Sequence, residues 1–379
     1  MLTFIDWFAG VGGFRKGMEN AGHKCVGFCE FDKYAVASYT SMHLITEEQR
    51  EYLAALEMKK RQKEILKEEY RNGEWYAEDV RTVRAEEIPR ADCWCFGFPC
   101  QDISVAGRQL GFNGHRSSLF FAVTKLIREL EEENKPGWLF IENVKNLLSV
   151  NRGFDFAKLL VELDEIGYDC EWQLLNSKDF GVPQNRERVF IIGHLRGRSG
   201  REVFPVEGTD GENRSAVNQI GRRPSDTRDN LNQYRVYDTD GCAPTLNKME
   251  GGGLEPHIPV CLNPKGGRGG VPGLQPSIKD RVYDAEGVMP AVATSEFFNP
   301  NVAIPVFNGE QMVHAIWYEK YQCYIAIRKL TPKECFRLQG WEDEYFGKAE
   351  FVNSNSQLYK QAGNGVTVNV IEAIARMME

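Results

Sequence analysis

No run in the 379-residue sequence approaches the ~20 consecutive apolar residues that a membrane-spanning helix requires, so no membrane partner is expected. The opening Met1-Leu2-Thr3-Phe4-Ile5-Asp6 lacks a basic region, a longer apolar core and a cleavage site, and no signal peptide is expected. Ten cysteines without a secretory signal point to a reducing, cytoplasmic setting. Cys-x-x-Cys is absent, which excludes a thioredoxin-like pair. Three cysteines fall within Cys93-Trp94-Cys95-Phe96-Gly97-Phe98-Pro99-Cys100, yet no second pair and no His-x3–5-His follows, so no metal is expected. Gly-x-Gly-x-x-Gly is also missing, which disfavours a nicotinamide dinucleotide. Basic excess is lacking too. The net charge is −8, and charge alone argues mildly against a nucleic-acid partner.

The first half alternates strand and helix. Apolar strands are expected at Leu2–Phe8, Cys25–Cys29, Cys93–Phe98, Trp138–Ile141 and Val189–Gly193. Phe14–Ala21 reads as a helix, as does the stretch holding Leu119, Phe120, Val123, Leu126, Ile127 and Leu130. This order predicts an α/β fold with a doubly wound, mainly parallel sheet. Residues 46–72 interrupt it with a run dense in Glu, Lys and Arg, expected to be an inserted, solvated surface helix.

Residues 196–327 hold 11 of the 16 prolines and 16 of the 36 glycines, and read as a separate small domain of short strands and loops. Residues 1–195 with 328–379 form the other domain. Inside the smaller one, RVYDTDGCAPTL at 235–246 returns as RVYDAEGVMPAV at 281–292, and each copy then reaches Ile-Pro-Val. Residues 196–329 balance 16 Lys and Arg against 16 Asp and Glu, so the acidic excess lies elsewhere. The eight basic residues of 196–235 are all arginine, the side chain suited to guanine edges and phosphates, although a neutral loop surface explains the same counts.

Four places could carry chemistry. Phe8-Ala9-Gly10-Val11-Gly12-Gly13 joins a strand to a helix, and its glycines let the backbone approach a ligand at a helix N-terminus. Glu30 ends the next strand, where a carboxylate can bind ribose hydroxyls, so a nucleoside-bearing cofactor is favoured over a packing turn. Cys93 and Cys95 share one face of a strand and read as core residues. Cys100 follows Gly97-Phe98-Pro99 at a strand's carboxyl end, where α/β sheets bind ligands, and reads as a nucleophile. A long loop with Gly107, Gly111 and Gly114 follows it, suited to closing over a substrate. Glu142 ends another core strand and fits an acid, against the alternative of a helix cap. Arg186 and Arg188, two apart on an extended chain, would share a face that suits a polar ring or a phosphate.

DWFAGVGGF, GFPCQDIS, ENV, QNRERV, RKLTPKECFRLQGW and QAGNGVTVNV occur in an order that resembles the bacterial and phage DNA (cytosine-5) methyltransferases of the HhaI type, from residue 3 to about 370. RVYDTDGCAPTLNKMEGGG resembles their target-recognition region. Trp7 stands where Leu is usual and Ala77-Glu78-Asp79-Val80 for a usual Gly-Asp-Ile, while the 46–72 insertion and the second RVYD copy are extra. The resemblance implies S-adenosylmethionine as cofactor, with Phe8, Gly10, Gly12, Gly13, Glu30, Phe31, Asp79, Val80, Pro99, Leu119, Asn364 and Val366 at binding positions. Glu30 would hold the ribose and Asp79 the adenine amino group. It implies Cys100 as covalent nucleophile, Glu142 as the acid at the cytosine ring, and Arg186 and Arg188 beside that ring. It further implies a duplex DNA partner with contacts from Ser104, Arg116, Arg235 and Arg281, a monomeric chain, base flipping, and admits a cognate restriction endonuclease. A tRNA cytosine-5 methyltransferase is the alternative, but its Cys-Phe-Thr signature is absent. A catalytically silent relative would lack Cys100 or Glu142, and both are present.

Overall fold

The computed structural model describes residues 1–98, 118–198, 201–208, 242–246, 256 and 330–378, and the backbone of seven strands between 219 and 329. The chain divides into two compact units, one of Met1–Arg214, Pro244–Glu250 and Pro332–Glu379, the other of Ser215–Ala243 and Gly251–Thr331. Among the described residues no helix is long and apolar enough to cross a membrane.

The larger unit is α/β. Its strands are β1 (Thr3–Trp7), β2 (Lys24–Cys29), β3 (Trp75–Ala77), β4 (Cys93–Gly97), β5 (Trp138–Val144), β6 (Tyr168–Asn176) and β7 (Glu187–Leu195). They are ordered β3-β2-β1-β4-β5-β7-β6. The first five run parallel, and β7 is antiparallel to both its neighbours. The chain order reverses about β1, so the carboxyl ends of β1 and β4 frame the crevice where such sheets bind ligands.

Alternation along the strands builds a core on each face. Ile5, Trp7, Trp94, Phe96, Leu139 and Ile141 pack on one side with α5 (Ser118–Glu129) and α6 (Phe154–Glu165). Phe4, Cys93, Cys95, Phe140 and Ile192 pack on the other. Cys93 and Cys95 are fully buried there, with sulfurs 3.7 Å apart, as the strand spacing predicts. On this second face lie α1 (Gly13–Asn20) and, from the far end of the chain, α10 (Val368–Ala375). A Cβ on Gly17 would sit 2.6 Å from Ile371, so glycine permits this approach. Between β2 and β3 comes α2 (Lys33–His43). Three further helices, α7 (Pro332–Arg337), α8 (Asp343–Glu350) and α9 (Asn355–Asn364), precede α10.

The insertion differs from the expected solvated helix. It is two short helices, α3 (Glu47–Ala54) and α4 (Met58–Glu64), and a 3-10 turn at Glu68–Arg71. Thr46 and Gln49 form a capping box at the start of α3. The few apolar residues are what matter: Leu53, Ile65 and Tyr70 are buried against Ala37 and Val352. Arg61 closes the turn, donating to the carbonyls of Leu53 (2.9 Å), Leu56 (2.9 Å) and Phe351 (2.7 Å), with its guanidinium over the Phe351 ring.

The composition change at 196 precedes the structural boundary. Residues 201–208 pack on the larger unit, with Val203 and Phe204 donating to the Glu171 carboxylate and Val206 to Gln173. The smaller unit holds β8 (Gln219–Arg222), β9 (Arg235–Tyr237), β10 (His257–Cys261), β11 (Met289–Pro290), β12 (Ile304–Asn308), β13 (Gln311–Tyr318) and β14 (Cys323–Lys329), ordered β11-β12-β13-β14-β10-β9-β8. The two Ile-Pro-Val segments fall in β10 and β12, on either side of the β13–β14 pair.

Leu53→Ala is expected to lower stability by about 2–5 kcal/mol, the usual cost of emptying a buried leucine site. Urea unfolding followed at the tryptophans measures it, and a change near zero would return the insertion to a solvated role.

Candidate active site

The site is built at the carboxyl ends of the five parallel strands, β1 to β5. After β1 the chain turns through Phe8, Gly10 and Gly12, all with left-handed φ of 57°, 57° and 85°. Gly10 N–H donates to Glu30 Oε2 (2.8 Å), and Ala9 N–H to the Cys29 carbonyl (3.0 Å). The loop therefore hangs on the end of β2. Among the described residues nothing lies within 4 Å of a Cβ placed on Gly10, so they leave the loop's outer side open. Glu30 Oε1 also accepts from Asp32 N–H (2.7 Å), and burial raises the Glu30 carboxyl above its ordinary range. Phe31 beside it is 67% exposed, an aromatic face left uncovered.

Glu30 N–H bonds the Ala77 carbonyl (3.2 Å), which sets the ends of β2 and β3 side by side. Asp79 lies two residues beyond Ala77. Its carboxylate accepts from the Arg81 backbone (3.0 Å) and guanidinium (2.6 Å), and the bond to that guanidinium holds it below the usual range. Val80 is buried and Leu119 half-buried, both against the core below. Val366 reaches the loop from the C-terminal segment; a Cβ on Gly13 would stand 2.7 Å from it. Asn364 is exposed at the last turn of α9.

On the other side of the crevice, β4 ends at Gly97, which pairs in register with Glu142. A Cβ on Gly97 would come within 3.2 Å of Glu142 Oε2, so a bare backbone makes room for this carboxylate. Glu142 is buried, and Arg188 Nε stands 2.9 Å from its Oε1. Arg188 lies on β7 opposite Val144. Arg186, two residues earlier, is used differently. Its guanidinium donates to the carbonyls of Gly365 (2.7 Å) and Leu246 (3.4 Å). Burial, then the neighbouring Arg188, push it down to about 9. Spacing placed the two arginines together; which of them faces the carboxylate depends on tertiary partners.

Pro99, Cys100, Ser104, Arg116 and Arg281 lie outside the described residues, and of Arg235 the backbone alone is described, paired with Arg222. Three polar residues escaped the sequence reading. Asn143 is buried, accepts from Val144 N–H (2.8 Å) and donates to the Phe98 carbonyl (3.5 Å), tying β5 to the chain just before Pro99. Gln184 is fully buried, and neither of its amide atoms has a hydrogen-bond partner among the described residues. Asp6 is fully buried beneath the glycine loop, accepts from Arg15 N–H (3.3 Å), and desolvation raises its carboxyl well above normal. Each sits inside or beside a motif that was read, so the signal was a polar residue within an apolar strand or turn.

The family model for C-5 cytosine-specific DNA methylases matches residues 2–52 and 42–379. The type II methyltransferase M.HhaI of Haemophilus parahaemolyticus is 30% identical over 99% of this chain and 93% of its own. M2.ScrFI of Lactococcus lactis subsp. cremoris is 29% identical over 99% and 98%. The orphan methyltransferase M.SPRI of Bacillus phage SPR is 28% identical over 98% and 96%. Among solved structures, the methyltransferase EhMeth of Entamoeba histolytica aligns with a TM-score of 0.59 at 16% identity, covering 100% of this chain and 98% of that one, a likeness of fold. Motifs, strand order and the match along nearly the whole sequence agree, and the chain belongs to the C-5 cytosine-specific DNA methylase family.

Proposed function

We propose that this protein methylates C5 of cytosine within a specific sequence of duplex DNA, using S-adenosylmethionine and a covalent bond from Cys100 to C6. The observation that carries the reading is the pairing of Gly97 with Glu142, which puts the ion-paired carboxylate beside the strand end that leads into Pro99 and Cys100.

The loop side fits the cofactor. Open space at Gly10, the Glu30 carboxylate, the exposed Phe31 ring and the Asp79 carboxylate offer a cradle for backbone-bound polar groups, a ribose diol, an adenine face and an amino edge. The bound cofactor would supply an electrophilic methyl on a sulfonium. Cytosine C5 is a weak nucleophile, and the chain's residues must activate it. Cys100 Sγ adds to C6 as the thiolate, and the ring's electrons move to C5. Glu142 holds N3 through a shared proton, which makes C6 more electrophilic. Arg188 keeps the Glu142 carboxylate turned to the ring. Methyl transfer to C5 would leave S-adenosylhomocysteine; the C5 proton then passes to solvent water, its C–H electrons re-form the C5–C6 double bond, Cys100 departs as the thiolate, and the aromatic ring returns. C6 is unreachable in a stacked duplex, so the base must be flipped out, with Ser104 and Arg116 of the segment after Cys100 contacting DNA.

The two RVYD copies differ in where their ends lead. Thr245 Oγ1 donates to the Asn185 carbonyl (2.7 Å), and the Leu246 carbonyl accepts from Arg186, so the first copy runs into the larger unit beside QNRER. In the second copy Met289-Pro290, which correspond to Ala243-Pro244 of the first, pair with Phe307 and Val306 inside the smaller sheet. This supports Arg235 as a base reader ahead of Arg281.

Duplex DNA with 5-fluorocytosine at the target should trap a stable adduct, because fluorine cannot leave as the proton does. Cys100→Ser should lose the adduct, while Cys93→Ala and Cys95→Ser keep it. An adduct mapped to either of those buried cysteines would sink the assignment. Glu142→Gln should still bind cofactor but lose at least ~10²-fold in rate, the scale of a positioned acid. Near-normal turnover would remove Glu142 from the chemistry.

Replacing Arg235 by alanine should relax the methylated sequence at one position, since a bidentate arginine–guanine contact contributes about 1–3 kcal/mol of discrimination. Arg281→Ala should leave the sequence unchanged. Sequencing the methylated sites checks both, and relaxation by Arg281→Ala alone would reverse the assignment.

A further inference from the structure

The glycine loop is held on its N–H side by three bonds: Ala9 to Cys29, Gly10 to Glu30, and Gly12 N–H to the Ala9 carbonyl at 2.8 Å. A loop with three residues of left-handed φ, one of them Phe8, keeps that path only where its surroundings enforce it. Among the described residues none packs on the outer side at Gly10. One restraint comes from beneath and from a residue in none of the motifs: His43, the last residue of α2.

Nε2 of His43 lies 3.0 Å from the Val11 carbonyl. The ring also occupies the place a side chain at position 12 would need. A Cβ on Gly12 would stand 2.6 Å from His43 Nε2 and 3.1 Å from Cδ2. The imidazole is fixed in turn by Tyr39 of α2 (4.9 Å between centroids) and by Trp341 (6.0 Å) and Tyr345 (5.6 Å) of the C-terminal segment. Burial disfavours its charged form, and so do Arg15, Lys16 and Lys348 around it. A neutral ring carries one N–H, and a carbonyl facing Nε2 puts the hydrogen there.

We propose that His43 is a positioning residue for the cofactor: by donating Nε2–H to the Val11 carbonyl and seating Gly12, it fixes the glycine loop in the turn that receives S-adenosylmethionine. The proposal rests on the reading of this loop as the cofactor site. Its physical content is pre-organisation. A glycine-rich turn that is free before binding must be ordered at the moment of binding, which weakens affinity; a turn already held does not incur that cost.

Binding of S-adenosylhomocysteine to the full chain, measured by calorimetry without DNA, separates the bond from the packing. His43→Phe keeps an aromatic ring against Tyr39, Trp341 and Tyr345 but has no N–H. His43→Gln can bring an amide N–H to the carbonyl. Phe and Ala should weaken binding by about tenfold or more, the scale of one lost hydrogen bond to an ordered loop, and Gln should recover to within about threefold. Thermal melting of each variant without ligand should not follow that order, because Phe preserves the core. Phe binding as tightly as the parent would overturn the proposal. So would equal losses in all three variants, or losses that track melting temperature, since each would make the ring a packing element only. If alanine yields no folded protein, Phe against Gln still decides. A parent chain that fails to bind S-adenosylhomocysteine would instead remove the cofactor reading and leave the His43–Val11 bond a structural one.

Discussion

The close approach of α10 to α1 is the constraint on which the rest depends. It is possible only because positions 13 and 17 carry no side chain, letting Val366 and Ile371 come within contact of the α1 backbone. That contact brings the last fifty residues back to the first twenty. Several bonds lock the return: Val368 N–H to the Gln339 carbonyl, Asn369 to the Phe180 carbonyl, and Thr367 Oγ1 to Gln339 and Ser177. Gly365 then offers its carbonyl to Arg186, at the start of β7. The glycine loop and the carboxylate side of the crevice are thus fixed in one unit by a chain segment remote from both in sequence.

The two sides use charge in different ways. Beneath the loop, Arg15 is buried with Glu74 at 2.6 Å and the Tyr39 hydroxyl at 3.1 Å, a network that holds α1, α2 and β3 together. Removing one member would leave an uncompensated buried charge, a larger effect than the net worth of the pair. Across the crevice, Arg188 and Glu142 pair at the surface of the site, where the ion pair orients a carboxylate whose second oxygen faces the space beside Gly97. One network ties α1, α2 and β3 together, and the other holds a carboxylate beside the end of β4.

Much of this was legible in the sequence. β1, β2 and β4 are covered on both faces and read as short apolar runs closed by glycine or an acid. β6 was not, because it lies at the sheet edge with Glu171 and Gln173 turned to the segment 203–206, which broke its apolar pattern. The insertion misled for a related reason: a small core needs few apolar residues, and Leu53, Ile65 and Tyr70 are hidden among charges. Strand alternation assigned Cys93 and Cys95 to the core, and both are fully buried. Spacing alone could not divide Arg186 from Arg188, nor single out His43, since both depend on carbonyls brought in from positions distant in sequence.

The chain belongs to the C-5 cytosine-specific DNA methylase family, and the central claim proposed for it is methyl transfer to C5 of cytosine in DNA. Nucleoside mass spectrometry tests it most directly. Duplex DNA and total tRNA are incubated separately with the purified chain and S-adenosylmethionine, then digested and analysed. The account predicts 5-methyldeoxycytidine from the duplex and no new 5-methylcytidine from the tRNA. Methylated tRNA with unmodified DNA, or methyl transfer to another position of the base, would contradict it.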